Sequence, residues 1–174
     1  MSSSARNPIA LVTGGRRGIG AAIAQALAGR GFDVAIADLE RDENAERTLA
    51  AIKAMGRRAE FLLGDIADVQ SHDALLGKVW DSFGTLDCLV NNAGAQVKVR
   101  GDMLDVTPES FDRLMNVNLR GTFFLTQAAA RRMTKEKRTE DDPHRSILTL
   151  SSANAFMAST NRAEYCISKS GLSI

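Results

Sequence analysis

Two residues near the end of the chain, Tyr165 and Lys169, stand four positions apart in a stretch that reads as a helix from about residue 162 onward. That spacing puts both side chains on one helix face. A free tyrosine has a pKa of about 10, too high for ready proton exchange at neutral pH. A lysine ammonium beside the hydroxyl stabilises the phenolate and lowers that value. A shift of about three units corresponds to roughly 4 kcal/mol. Such a pair could hold and release a proton near neutrality. Taken singly, each residue has a plainer reading. Tyr165, the chain's only tyrosine, would be a core residue with its hydroxyl at the surface, and Lys169 a solvated charge.

A second group lies near the start. Thr13-Gly14-Gly15-Arg16-Arg17-Gly18-Ile19-Gly20 follows an apolar run at 9–12 and opens a stretch of Ala, Leu and Ile at helical spacing. Glycines let the backbone turn sharply and approach a pyrophosphate closely. The helix start adds unpaired N–H groups and the positive end of its dipole. The glycines fall at 14, 18 and 20, so the spacing is not the usual GxGxxG. Asp38 directly follows a second apolar run, 18 residues after Gly20. An acidic residue about 20 positions after such a loop is placed to hold the adenosine ribose hydroxyls. It would also repel a 2′-phosphate, which favours NAD(H). Arg16 and Arg17 argue the other way, since a basic loop residue could pair with that phosphate. The position of Asp38 decides for NAD(H) and leaves NADP(H) possible.

These groups need elements to position them. Short apolar runs at 9–12, 34–37, 59–63, 86–90 and 146–150 alternate with helical stretches at 19–30, 42–55, 69–83, 107–133 and from about 162. Asp68 and Gly84 read as the N-cap and stop of the third helix. Thr107-Pro108-Glu109 reads as the start of the long fourth one. Residues 135–145, charged and containing Pro143, read as an exposed loop. Continuous apolar strands alternating with helices give a parallel sheet covered on both faces. Right-handed crossovers make it a doubly wound, Rossmann-like α/β fold, with ligands at the carboxyl ends of the strands.

The 174 residues suit one dinucleotide-binding domain, 1–174. Trp80 and the phenylalanines are expected in its core. His72 and His144 stand in polar segments and take no role. With 22 basic against 21 acidic residues, the charge offers no footprint for nucleic acid or an anionic membrane. No apolar run is long enough to span a bilayer, and residues 1–7 lack the apolar stretch of a secretory signal. Cys88 and Cys166 stand far apart, in neither metal-type nor redox-type spacing. A cytoplasmic protein without a metal is expected.

Four further pieces follow the strands or lie in the helices: Asn91-Asn92-Ala93-Gly94, Asn118-Leu119-Arg120-Gly121, Ser151-Ser152 and Tyr165-Cys166-Ile167-Ser168-Lys169. YxxxK alone is weak. Together with the Thr13–Gly20 loop, in this order after these strands, the set resembles the short-chain dehydrogenase/reductase family over nearly the whole chain. In look it is closest to the 3-oxoacyl-carrier-protein reductase-like branch. The resemblance implies an oxidoreductase that moves a hydride between NAD(P)(H) and a ketone or secondary alcohol, a 3-oxoacyl thioester among the candidates. In such a reaction the nicotinamide supplies the hydride, while the protein holds the ring and supplies the proton.

By that resemblance Tyr165 is the proton donor, and Lys169 is its partner and holds the nicotinamide ribose. Ser152, 13 residues before Tyr165, hydrogen-bonds the substrate oxygen. Asn118 kinks the long helix and holds a water in a proton relay to the lysine. Asparagine is a poor residue for a helix interior, so its presence asks for a reason. The implied cofactor contacts are Thr13, Gly14, Arg17, Gly18, Ile19 and Gly20 of the loop, Asp38, Asp65 and Ile66 at the adenine, and Asn92, Ala93 and Gly94. The implied partners are a small carbonyl or alcohol substrate and further copies of the chain, as dimers or tetramers formed partly through the long helix and the YxxxK helix.

The family's sheet continues beyond the YxxxK helix with two more strands, a substrate-covering loop and a C-terminal segment. This sequence stops five residues after Lys169. The expected sheet therefore lacks its C-terminal strands, and residues 1–174 alone are expected to be nearly inactive. Two readings compete: a dehydrogenase or reductase, and a non-catalytic dinucleotide-binding module or inactive truncated fragment. The complete set Ser152, Tyr165 and Lys169 favours the first, because a binding module has no need of it.

Overall fold

A computed structural model describes residues 6–174. Five parallel strands form one sheet in the order β3-β2-β1-β4-β5. They are β1 (Ile9–Thr13), β2 (Asp33–Asp38), β3 (Ala59–Leu63), β4 (Cys88–Asn91) and β5 (Ser146–Thr149). The order reverses between β1 and β4. The register pairs Val12 with Ile36 on one side and with Val90 on the other. All strand carboxyl ends therefore lie at one edge, and the β1/β4 switch point opens the crevice where such sheets bind ligands.

The side-chain alternation of the strands divides the core into two halves. Leu11, Ala35 and Leu89 pack on one face with Leu75, Leu76 and Val79 of α3 (His72–Phe83) and with Leu125, Ala129 and Met133 of α5 (Thr122–Lys135). Val12, Val34, Ile36 and Val90 pack on the other with Ala24 and Ala28 of α1 (Gly18–Gly29) and Leu49 and Ile52 of α2 (Glu43–Ala54). The inner face of α1 is made of alanine and glycine, which brings its axis close to the sheet and its first turn close to the end of β1.

The long helix is continuous but not uniform. It runs as α4 (Pro108–Leu114), a π-helical stretch Met115–Gly121, and then α5. Thr107 caps it, accepting from the Ser110 N–H at 3.3 Å. The last helix, α6 (Ala163–Ser173), carries the YxxxK segment.

Three expectations need correction. The third helix begins at His72, because Asp68 caps a separate tight turn, Val69–Ser71, by accepting from the Gln70 N–H. That turn swings the His72 ring inward, so this residue of a polar segment is 2% exposed. The phenylalanines divide: Phe32, Phe61 and Phe83, like Trp80, are partly buried and pack against a core whose fully buried part is aliphatic, while others face outward. Phe111 and Phe123 lie on outward helix faces, and Phe156, in the loop before α6, is 84% exposed. Residue type alone does not tell which side of a helix faces the sheet. Among the described residues β5 is mostly exposed and pairs with β4 alone, so it forms an edge of this sheet.

Candidate active site

The loop after β1 is shaped by what it must avoid. A Cβ on Gly20 would lie 2.0 Å from the Gly14 carbonyl oxygen, and one on Gly14 would lie 2.9 Å from Ala93 Cα. The β1 loop, the first turn of α1 and the β4 loop are therefore packed backbone to backbone. Asn92 locks them, its amide donating to the Thr13 and Gly14 carbonyls at 2.9 and 3.0 Å. The Thr13 hydroxyl accepts from the N–H groups of Asn92 and Ala93. The start of α1 has no side-chain cap and no acidic residue in its first turn. An uncapped helix N-terminus behind a glycine loop is a ready site for an anion.

Asp38 sits at the end of β2 and accepts from the backbone N–H of Arg16 at 3.3 Å and of Leu39 at 2.8 Å. The Arg16 guanidinium contacts the carboxylates of Asp38, Glu40 and Asp42 together. The Ala45 N–H and the Asn44 amide hold the Asp42 carboxyl below the usual carboxylate range, against the effect of burial. Arg16 is thus already neutralised, by two carboxylates that sequence reasoning did not single out. Arg17, exposed at the rim of the glycine loop, faces the cleft unclaimed by these acids.

The other half of the site gathers at the ends of β4 and β5. Asn118 is fully buried in the π-helical stretch. Its Oδ1 accepts from the Ala95 N–H at 2.7 Å, and its Nδ2 donates to the Ala95 carbonyl and to Ser168 Oγ, both at 3.0 Å. The Ser168 hydroxyl in turn donates to the Tyr165 carbonyl. One amide thereby ties the β4 loop to α6, and the widened turn is where the helix opens to let it. Asn118→Ala would strand three polar partners, and we expect it to lower stability by about 2 kcal/mol in urea unfolding. A change under about 0.5 kcal/mol would remove this account of the residue.

Tyr165 and Lys169 are 8% and 5% exposed. The Lys169 ammonium lies 6.0 Å from the Tyr165 ring centre and donates to the Leu150 carbonyl at 2.9 Å, just before Ser151-Ser152. Burial pushes its pKa below the usual lysine value. A Cβ on Gly94 would come within 3.6 Å of Lys169 Nζ and 3.3 Å of Asn118 Oδ1. Ser152 caps a short turn, accepting from the Asn154 N–H at 3.2 Å. Ser151 Oγ bonds the Lys169 carbonyl and Ser173, which leaves it a part in packing.

A cleft of about 590 Å³ opens between the glycine loop and the β4 loop, and Asn118, Ser152, Tyr165 and Lys169 are not among the residues that line it. It is lined by Gly14, Arg16, Arg17 and Gly18, by Asp38, by Gly64, Asp65 and Ile66, and by Asn92, Ala93 and Gly94. Most of the loop, strand-end and β4 residues expected from the sequence thus meet in one cavity. Arg113 and Val117 also line it, with no signal in the sequence. Among the described residues no group of His, Cys, Asp and Glu could hold a metal ion.

The family model for short chain dehydrogenase matches residues 8–174. The chain belongs to this family. A 3-oxoacyl-[acyl-carrier protein] reductase from Brucella melitensis, solved in complex with NAD, superposes on this short-chain dehydrogenase with a TM-score of 0.88 at 49% identity. The match covers 97% of this chain and 65% of that one. A short chain dehydrogenase from Burkholderia cenocepacia, solved with NADP, matches at TM-score 0.82 and 38% identity, covering 97% and 65%. The L-2,3-butanediol dehydrogenase of Corynebacterium glutamicum is 40% identical over 126 residues, 71% of this chain and 48% of its own. The chain thus spans about half the length of this curated relative. The Rossmann-like fold and the likeness to the 3-oxoacyl-carrier-protein reductase branch both stand. Solved relatives hold either nicotinamide cofactor.

Proposed function

We propose that this sequence forms the cofactor-binding and proton-transfer part of an NAD(H)-preferring ketone reductase or alcohol dehydrogenase. The observation that carries the reading is the meeting of two independent constructions at one sheet edge. One is an uncapped helix start behind glycines that no Cβ could replace. The other is a buried Tyr165–Lys169 pair beside Gly94. The residues present fit a dinucleotide: N–H groups and helix dipole for the pyrophosphate, Asp38 for the adenosine ribose. When bound, NAD(H) supplies or accepts the hydride. The chain's own residues do the rest. Tyr165 gives its phenolic proton to the substrate oxygen, or takes one in the reverse direction. The Lys169 charge favours the phenolate left behind. Ser152 orients the oxygen, and Asn118 holds the β4 loop and α6 in fixed relation.

The relatives' names support carbonyl or secondary-alcohol substrates, including 3-oxoacyl thioesters. The exposure of Phe123 and Ile167, 57% and 51%, on the long helix and α6 supports self-association through those helices. The non-catalytic alternative leaves the buried Tyr165–Lys169 pair without a purpose.

Cofactor choice follows from the carboxylates. A 2′-phosphate near Asp38 would also meet Glu40 and Asp42, while Arg16 is already paired. NADH should bind at least about tenfold more tightly than NADPH, a difference of about 1.4 kcal/mol. Fluorescence titration of the complete protein with both cofactors tests this. Equal or tighter NADPH binding would show Arg17 prevailing, and no binding of either would end the dinucleotide reading.

A further inference from the structure

Beyond Asp38 the cleft is walled by Gly64, Asp65 and Ile66, which belong to no strand or helix. The Gly64 N–H donates to the Asp38 carbonyl at 3.0 Å, so this stretch starts beside the carboxylate suited to the adenosine ribose. A base joined to that ribose meets this wall next. Something must hold the wall in shape, because an irregular segment that samples several forms makes its ligand bear the cost of ordering it.

The Ile66 carbonyl is held from two sides. Nε2 of His72 bonds it at 2.8 Å. On the other side stands Gly121, at the end of the π-helical stretch, where an added Cβ would lie 2.3 Å from the same oxygen. A carbonyl only accepts, so Nε2 carries the ring proton. Nδ1 is then a bare acceptor, buried without a partner among the described residues. Leaving a buried polar atom unpaired is costly, and an apolar side chain of similar size would avoid it. What imidazole offers here, and an apolar side chain does not, is the bond to Ile66.

We propose that His72 is a positioning residue for the adenine end of the cofactor. By fixing the Ile66 carbonyl it holds Asp65 and Ile66 in the form against which the base packs. This rests on the dinucleotide reading above. Without the bond, the carbonyl must find another donor, and the peptide after Ile66 turns to do so. The effect falls on the adenylate half of the ligand and spares the nicotinamide half, which lies toward Gly94 and Lys169.

The test compares His72→Gln, whose amide reaches about as far as the imidazole Nε2 and can donate, with His72→Met, which has similar length and cannot. Binding of NADH, ADP-ribose and reduced nicotinamide mononucleotide to the complete protein is measured by calorimetry, with thermal unfolding alongside. The methionine variant should bind NADH and ADP-ribose about tenfold more weakly, the equivalent of about 1.4 kcal/mol, with the mononucleotide unchanged. The glutamine variant should stay within about threefold of the parent for all three, a difference of about 0.7 kcal/mol. If the methionine variant fails to fold, His72→Phe takes its place. Unchanged ADP-ribose binding in the apolar variant overturns the inference. So does an equal loss of ADP-ribose and mononucleotide, or a glutamine variant as weak as the methionine one. A parent protein that binds neither NADH nor ADP-ribose overturns the dinucleotide reading, and this inference with it.

Discussion

Tyr165→Phe should lower ketone turnover by about 10³-fold, the scale of a lost general acid, while NADH affinity changes by less than about twofold, a difference of about 0.4 kcal/mol. The substitution removes one oxygen and keeps the ring, which is buried at the start of α6. Among the described residues, the anchors of the site do not pass through that oxygen. The Lys169 ammonium is held by the Leu150 carbonyl, and Asn118 reaches α6 through Ser168, whose hydroxyl bonds the Tyr165 backbone carbonyl. The lysine, the β4 loop and the cradle behind Gly20 should therefore stay in place. Steady-state rates with NADH and a simple ketone, set beside a cofactor titration, read both quantities. Near-normal turnover would remove Tyr165 as the donor. A parallel loss of cofactor affinity would show that the hydroxyl had a structural part instead.

Much of this arrangement was legible in the residues, and the parts that were not share a cause. The strands stood out because runs such as Leu11-Val12 and Ala35-Ile36 are buried on both sheet faces and have no polar alternation to blur them. The glycine loop and Asp38 could be placed because each directly follows such a run. The π-helical stretch could not be drawn, since a widened turn keeps the composition of the helix around it; Asn118 in a helix interior was the one clue. The part played by His72 was hidden because its neighbours in sequence are polar, while its partner, the Ile66 carbonyl, is backbone and carries no residue signature. In the sequence the contest between Arg16 and Asp38 was decided for NAD(H) by position alone, with the partners of Arg16 out of view. The structure adds that Glu40 and Asp42 also contact the Arg16 guanidinium, which is the ground for the proposed NAD(H) preference.

Gly20→Ala should be the most damaging single methyl in the protein's cofactor site, with NADH affinity falling about 100-fold, or about 2.7 kcal/mol. Overpacking of this kind typically costs about 1–3 kcal/mol of stability as well. The new Cβ would sit 2.0 Å from the Gly14 carbonyl oxygen and 2.5 Å from the Asn92 amide nitrogen. Neither neighbour has room to retreat. Gly14 is itself pressed against Ala93, and the Asn92 amide is committed to the Thr13 and Gly14 carbonyls. The strain can be relieved only by moving the first turn of α1 away from the end of β1. That motion widens the cradle and turns the free N–H groups from the position a pyrophosphate would take. Gly29→Ala, at the far end of the same helix, is the matched control. Its Cβ meets nothing within 4 Å, so it should leave NADH binding unchanged and be neutral, or stabilising by about 0.5–1 kcal/mol, as alanine is in a helix. Urea unfolding and NADH titration of both variants decide the matter. An alanine at position 20 that binds NADH like the parent would mean the loop is not the pyrophosphate cradle.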